Sequence, residues 1–135
     1  MAADANRIYA CISLTKGAAA VNGVTHFRIT PQHAFKRDSI TKKAVVCHSE
    51  VMIELYGNDP RALTLLLGSA AAAVVGTVLR DTGATGTETL TNVQFVEVLS
   101  PVEIPEADQG GKLASMGIRG WCQGTAAVGT KWVSA

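Results

Sequence analysis

A chain of 135 residues with 12 basic and 11 acidic side chains carries a formal net charge of +1, which steers it toward neither nucleic acid nor an anionic membrane. That length predicts one domain over residues 1–135, with a core that needs no disulfide or metal to hold it. Apolar residues make up 47% of the chain and aromatics only 5%, so the core must come from Ala, Val, Leu and Ile.

The start, residues 1–7, lacks the basic-then-apolar order of a signal peptide. Residues 7–14 alternate, which predicts a strand with Ile8, Ala10, Ile12 and Leu14 inward and Cys11 on the opposite face. A Gly-containing turn region at 17–23 leads to a second short strand over 24–29. Residues 30–41 hold Pro31, His33, Phe35 and the run Lys36-Arg37-Asp38; they read as a long polar loop between strands, and loops of that length tend to be interactive. Residues 43–56 predict one long half-buried strand. Val45, Cys47, Val51, Ile53 and Leu55 fall on one face, with His48, Glu50 and Glu54 on the other beside Val46 and Met52.

Gly57-Asn-Asp-Pro60 ends that strand and starts a helix over about 60–67. Asp59 is the N-cap, Pro60 the first helical residue, Leu63, Leu66 and Leu67 the apolar stripe, and Gly68 the closing residue. Residues 62–79 are free of charge over 18 positions, near the lower limit for a membrane helix. Gly68-Ser69, Gly76 and a weakly apolar alanine run instead predict a short helix followed by a buried strand over about 72–79. Asp81 to Gly86 is a turn cluster, and 87–99 returns as a strand with Val93 and Phe95 on one face; simple alternation places Glu97 beside them, unless a bulge or an ion pair intervenes. Pro101 and Pro105 are expected to end it. After a flexible loop at 106–111, residues 113–122 alternate with Ala114, Met116 and Ile118 together. The tail 124–135 is rich in small residues and carries one large apolar group, Trp132.

Chemistry is hard to assemble from these parts. Cys47 and His48 are neighbours on a strand and point to opposite faces, so they cannot form a thiolate–imidazole pair with each other. Gly110-Gly111-Lys112 resembles the end of a phosphate loop, but Leu113 replaces the required Ser or Thr and the preceding glycine is missing. Gly83 and Gly86 belong to a turn. His26, His33 and His48 have no metal-ligand spacing, and three cysteines without a Cys-x-x-Cys pair read as reduced thiols. No catalytic, cofactor or metal site is expected.

The order of elements carries more. A long amphipathic strand, the capped helix in YGNDPRALTLLLGS, a strand and hairpin running into LTNVQFVEVLSPVEIP, and a Gly-flanked strand in GGKLASMGIRGW together resemble the tail tube proteins of tailed bacteriophages, whose fold is shared with contractile injection and type VI secretion tubes. The resemblance spans about residues 7–124 and is one of pattern, without a diagnostic motif. It implies a mainly β protein, a β-sandwich or barrel with one flanking helix, that forms stacked hexameric rings enclosing a conduit for DNA ejection. It also implies that the loop 30–41 reaches the next ring. The partners implied are further copies of the chain and tail sheath or tail terminator proteins, without cofactor or membrane, in a virion tail assembled in the host cytoplasm. The chain departs from the family in being compact, with a short first strand pair, which leaves a neck, decoration or tail completion protein as the alternative.

Within that frame Phe35, Lys36, Arg37 and Trp132 are the candidate subunit contacts, since large aromatics in polar or small-residue segments bury area at interfaces. His48, Glu50 and Glu54 are the candidate lumen residues, because a DNA conduit should offer few cations to phosphate. Cys11 and Cys122 are candidates for an inter-subunit disulfide. Two other classes remain: a thiol enzyme using Cys47 or Cys122 with a histidine brought near by folding, and a holin-like membrane protein.

Overall fold

The computed structural model describes residues 8–107 and 110–135. The segment 1–7, Asp108 and Gln109 in the loop 106–111, and the side chains of Tyr9 and Cys47 lie outside that description, and with them the expectations for the chain start and the Cys47 thiol. The elements run β1 (Ile8–Lys16), β2 (Ala19–Ala20), β3 (Val24–Arg37), β4 (Ala44–Gly57), α1 (Pro60–Leu66), β5 (Ala72–Arg80), β6 (Thr85–Glu103), β7 (Ser115–Cys122), α2 (Val128–Lys131) and β8 (Trp132–Ser134). All strand pairs are antiparallel, in the order β2-β1-β5-β6-β7-β4-β3, with β8 joined to β6.

β6 makes two layers from one sheet. Its first half pairs with β5 up to Val93, and its second half pairs with β7 from Val93 onward. At the change-over Asn92 takes a positive φ of 53°, a conformation Asn tolerates better than most residues. Leu14, Val74 and Leu90 from one layer meet Val51, Ile53, Leu55 and Ile118 from the other, with Val93 and Phe95 at the bend. Phe27 closes in from β3 over Gly76 of β5, where a Cβ would sit 2.7 Å from the ring tip; only glycine leaves that space. α1 forms as its sequence dictates: Asp59 accepts from the Ala62 N–H, Pro60 opens the first turn, and Leu63 is fully buried against the end of the core. Its burial removes about 2 kcal/mol worth of apolar surface from water.

The uncharged run 62–79 divides between α1 and β5 at Gly68, whose φ is +74°. No helix among the described residues is long and apolar enough to cross a membrane.

Three sequence expectations need correction. Of the four β1 residues expected inward, Leu14 alone is buried; Ala10 is exposed, and Ile8 and Ile12 are about half exposed. Register shifts between Ile8 and Ala10 and between Cys11 and Ser13 break the alternation, and each one-residue slip moves the following side chains to the other face. The loop placed at 30–41 is mostly strand: β3 continues to Arg37, and the connection spans only 38–43. Pro31 does not interrupt it because β3 is an edge strand, where a missing N–H costs no ladder bond. β6 likewise runs through Pro101, which falls inside a register shift between Ser100 and Glu103. In the tail 124–135, α2 and β8 bring the chain back onto β6.

Candidate functional site: an open-ended charge row and a projecting arm

The second layer, β6-β7-β4-β3, turns its apolar face to the core and carries a row of charged side chains on the other. Alternation sends Ile53 and Leu55 inward and Met52, Glu54 and Tyr56 outward, and register then aligns Arg28 with Glu54, Glu54 with Arg119, and Arg119 with Glu97. Glu97 reaches this face because a register shift separates it from Phe95, the bulge that simple alternation could not locate. The result is a cross-strand row of alternating sign, two arginines and two glutamates, about 15 Å long at ordinary strand spacing.

Glu54 is the hinge of the row. Its Oε1 lies 3.4 Å from Arg119 Nη2, and its Oε2 lies 3.4 Å from Arg28 Nη1 while accepting the Tyr56 hydroxyl at 2.9 Å. Arg119 completes the row through Nη1 to Glu97 Oε1 at 2.9 Å, leaving Nε buried without a partner. Tyr56 stacks on His26 at 4.6 Å, and the hydrogen bond to Glu54, with burial, pushes its phenol pKa up. Alternation alone makes Glu54 a surface acid; with only 6% of it exposed, it is a buried carboxylate flanked by two guanidinium groups. Glu50, half-buried, stands further along the same face, and the exposed His48 has its Nε2 3.8 Å from Glu50 Oε1.

Beyond Val51, β4 leaves β7 behind and pairs with β3 alone, so residues 33–49 form a two-stranded arm. Phe35, Ile40 and Val46 are exposed on it, and Lys36, Arg37, Lys42 and Lys43 make its tip basic. The tip is held by Asp38, whose carboxylate accepts from the Thr41 and Ile40 N–H groups and therefore titrates below the usual range.

A second ion cluster is closed. Glu88, almost fully buried, accepts from Arg80 Nη2 at 3.1 Å, from Trp132 Nε1 at 2.7 Å and from the Ser134 hydroxyl. Arg80 also donates to the Ala135 carbonyl at 3.0 Å, and Gly86 leaves the room its guanidinium needs. Trp132, a candidate subunit contact from sequence, is thus turned into its own molecule. Nearby, buried Lys131 donates to the Ser49 carbonyl at 3.0 Å, tying α2 to the root of the arm. Sequence reading missed this cluster, because Arg80, Glu88 and Lys131 gave no local sign of burial.

The thiols separate. Cys122 is a core residue whose pKa burial pushes up to about 11, and its neighbour is the Lys131 carbonyl rather than a histidine. Cys11 is half-buried beside a cleft of about 520 Å³ between β1 and β3, lined also by Ile8, His26, Phe27 and Ile29. Burial raises its pKa as well, the wrong direction for a nucleophile. Among the described residues no group of three or more His, Cys, Asp or Glu is placed to hold a metal ion.

No protein-family model matches the chain, and neither does any curated protein sequence. Solved structures do. A chain from the sheath–tube complex of an extracellular contractile injection system, PVC, in its extended state superposes with a TM-score of 0.58 over 99% of this chain and 91% of that one, at 12% identity. The fold is that of a tail tube protein. The tube-terminating cap of the anti-feeding prophage gives 0.56 over 93% and 95% at 14% identity, and a chain from the PVC sheath/tube terminator 0.54 over 100% and 97% at 12%. The tail-tube fold thus extends over nearly the whole of this chain.

Proposed function

We propose that this protein is a structural tube subunit, without catalytic activity, that assembles through copies of itself into stacked six-membered rings around a channel for DNA. The observation that carries the reading is the combination of a tail-tube fold with a two-stranded arm whose apolar residues have no place in their own core. The arm, rather than a loop, is the part that reaches the next ring, with Phe35, Lys36 and Arg37 near its tip. Exposed apolar residues on a projecting hairpin are what a neighbouring subunit would cover.

The charged face of the second layer is the channel wall in this reading. Its charge row sums to zero, and Glu50 and His48 continue the face, so it offers phosphate little net attraction. Tail sheath and terminator proteins are the further partners, and a phage virion tail the location. A disulfide between subunits falls to Cys11, since Cys122 lies in the core. The thiol-enzyme alternative loses support from the raised pKa of both described thiols and the lack of a histidine beside Cys122. Negative-stain microscopy and light scattering of the purified protein test the proposal: rings and tubes are expected, and a strict monomer at high concentration would overturn it.

A further inference from the structure

The charge row is satisfied in the middle and open at both ends, and its ends differ in sign. Glu54 uses both oxygens on Arg28, Arg119 and Tyr56. At one end Arg28, on β3, has a side chain 63% exposed, and its only ion-pair partner among the described residues is Glu54 at 3.4 Å. At the other end Glu97, on β6, is 46% exposed and spends one oxygen on Arg119. Both ends stand on edges. β3 is the last strand of the sheet, and past Phe95 no described strand pairs with β6 on the side away from β7.

We propose that the occupant of each edge is a second copy of this chain, set head to tail, with Arg28 of one copy against Glu97 of the next. The row then continues across the seam with its alternation intact, each arginine between two carboxylates. The contact is heterologous, so repeating it turns the assembly in one direction and closes a ring when the rotation allows. Val96, Val98 and Val102, exposed on the same β6 edge, would be covered by the β3 side of the neighbour. The bulges and Pro101 on that edge favour a side-chain seam over a regular backbone ladder. This inference rests on the ring reading above and adds the residues that set which edge meets which.

The test uses two single variants and their mixture. Arg28→Glu alone sets two carboxylates against each other at every seam, and Glu97→Arg alone sets two guanidinium groups face to face there. Like charges facing each other across an interface disfavour association strongly, so each variant alone should yield roughly tenfold fewer rings than wild type, or none. Mixed in equal amounts, the two can alternate around an even-membered ring, where every seam again sets a carboxylate against a guanidinium group, and ring yield should return toward the wild-type level. Circular dichroism and thermal unfolding of each variant confirm that the monomer is folded, and Arg28→Gln and Glu97→Gln, which remove charge without reversing it, should weaken assembly less. If wild type forms rings but each reversed variant does so equally well, or mixing restores nothing, the seam assignment is wrong while the ring reading stands. If wild type forms no rings, both fall.

Discussion

The molecule holds two clusters of arginine and glutamate that differ in one respect, whether the cluster closes. Around Glu88 every charge finds its partner inside one subunit: Arg80, the Trp132 indole and the Ser134 hydroxyl converge on one carboxylate, and β8 is fastened to β6. Around Glu54 the chemistry is the same, but the row runs to two edges and ends there with unspent hydrogen-bonding capacity. A closed cluster fixes a fold, whereas an open one offers specificity to a partner.

The sharpest way to break the comparison is to open the closed cluster. Glu88→Ala takes the carboxylate away from the buried Arg80 guanidinium, which keeps only the Thr87 and Ala135 carbonyls, and leaves the Trp132 indole N–H without its acceptor; breaking a buried pair in this way costs about 3–5 kcal/mol. Urea unfolding should show that loss, and amide exchange at Thr87 and Ala135, which exchange backbone hydrogen bonds at 2.9 Å, should accelerate with the release of β8. Glu54→Ala should cost less, about 1–3 kcal/mol, because Arg28 can turn to water and Arg119 keeps Glu97. Equal losses in the two variants would mean that both clusters are structural.

pH separates core from surface in the same manner. The Cys122 thiol has a folded pKa raised to about 11 from an ordinary value of 9.0. Its contribution to stability is therefore fully present below the ordinary value and is lost as pH rises toward 11, because only the unfolded thiol ionises in that window. Tyr56, raised by Glu54, adds a loss of the same sign above its ordinary value of 10.0. The urea midpoint should fall between pH 9 and 11 in wild type and fall less in Cys122→Ala. A midpoint that is flat across this window in wild type would contradict the burial assigned to the thiol.

The smallest effect on stability is expected in the arm. Phe35→Ala or Val46→Ser should change monomer stability by no more than about 0.5 kcal/mol, as exposed positions do, yet reduce tube formation. A large stability loss would place these side chains in a core of their own, and unchanged assembly would remove the arm from the interface.

How much of this was legible in the sequence depends on how local the cause was. α1 was legible because its cap, its proline and its leucine stripe lie within ten residues, and Val93 with Phe95 followed from simple alternation. β1 misled because two register shifts, invisible in a run of alternating residues, break the pattern between Ile8 and Leu14 and leave Ala10 and Ile12 exposed. β3 was cut short because Pro31 reads as a break until its place at the sheet edge is known. The sites were less legible still. Glu54 looks like a solvent-facing acid until the register of three neighbouring strands sets Arg28 and Arg119 on either side of it. Trp132 stands out in a small-residue tail, and nothing nearby in sequence announces that its partner is Glu88, 44 positions away.

The most direct measurement is a cryo-electron microscopy map of the assembled protein at side-chain resolution. The expected result is a six-fold ring whose channel is faced by the Glu54 side of the β6-β7-β4-β3 layer, with Arg28 of each subunit against Glu97 of the next. A map that puts this face on the outer wall, or that joins subunits through other edges with Arg28 and Glu97 both in solvent, would contradict it.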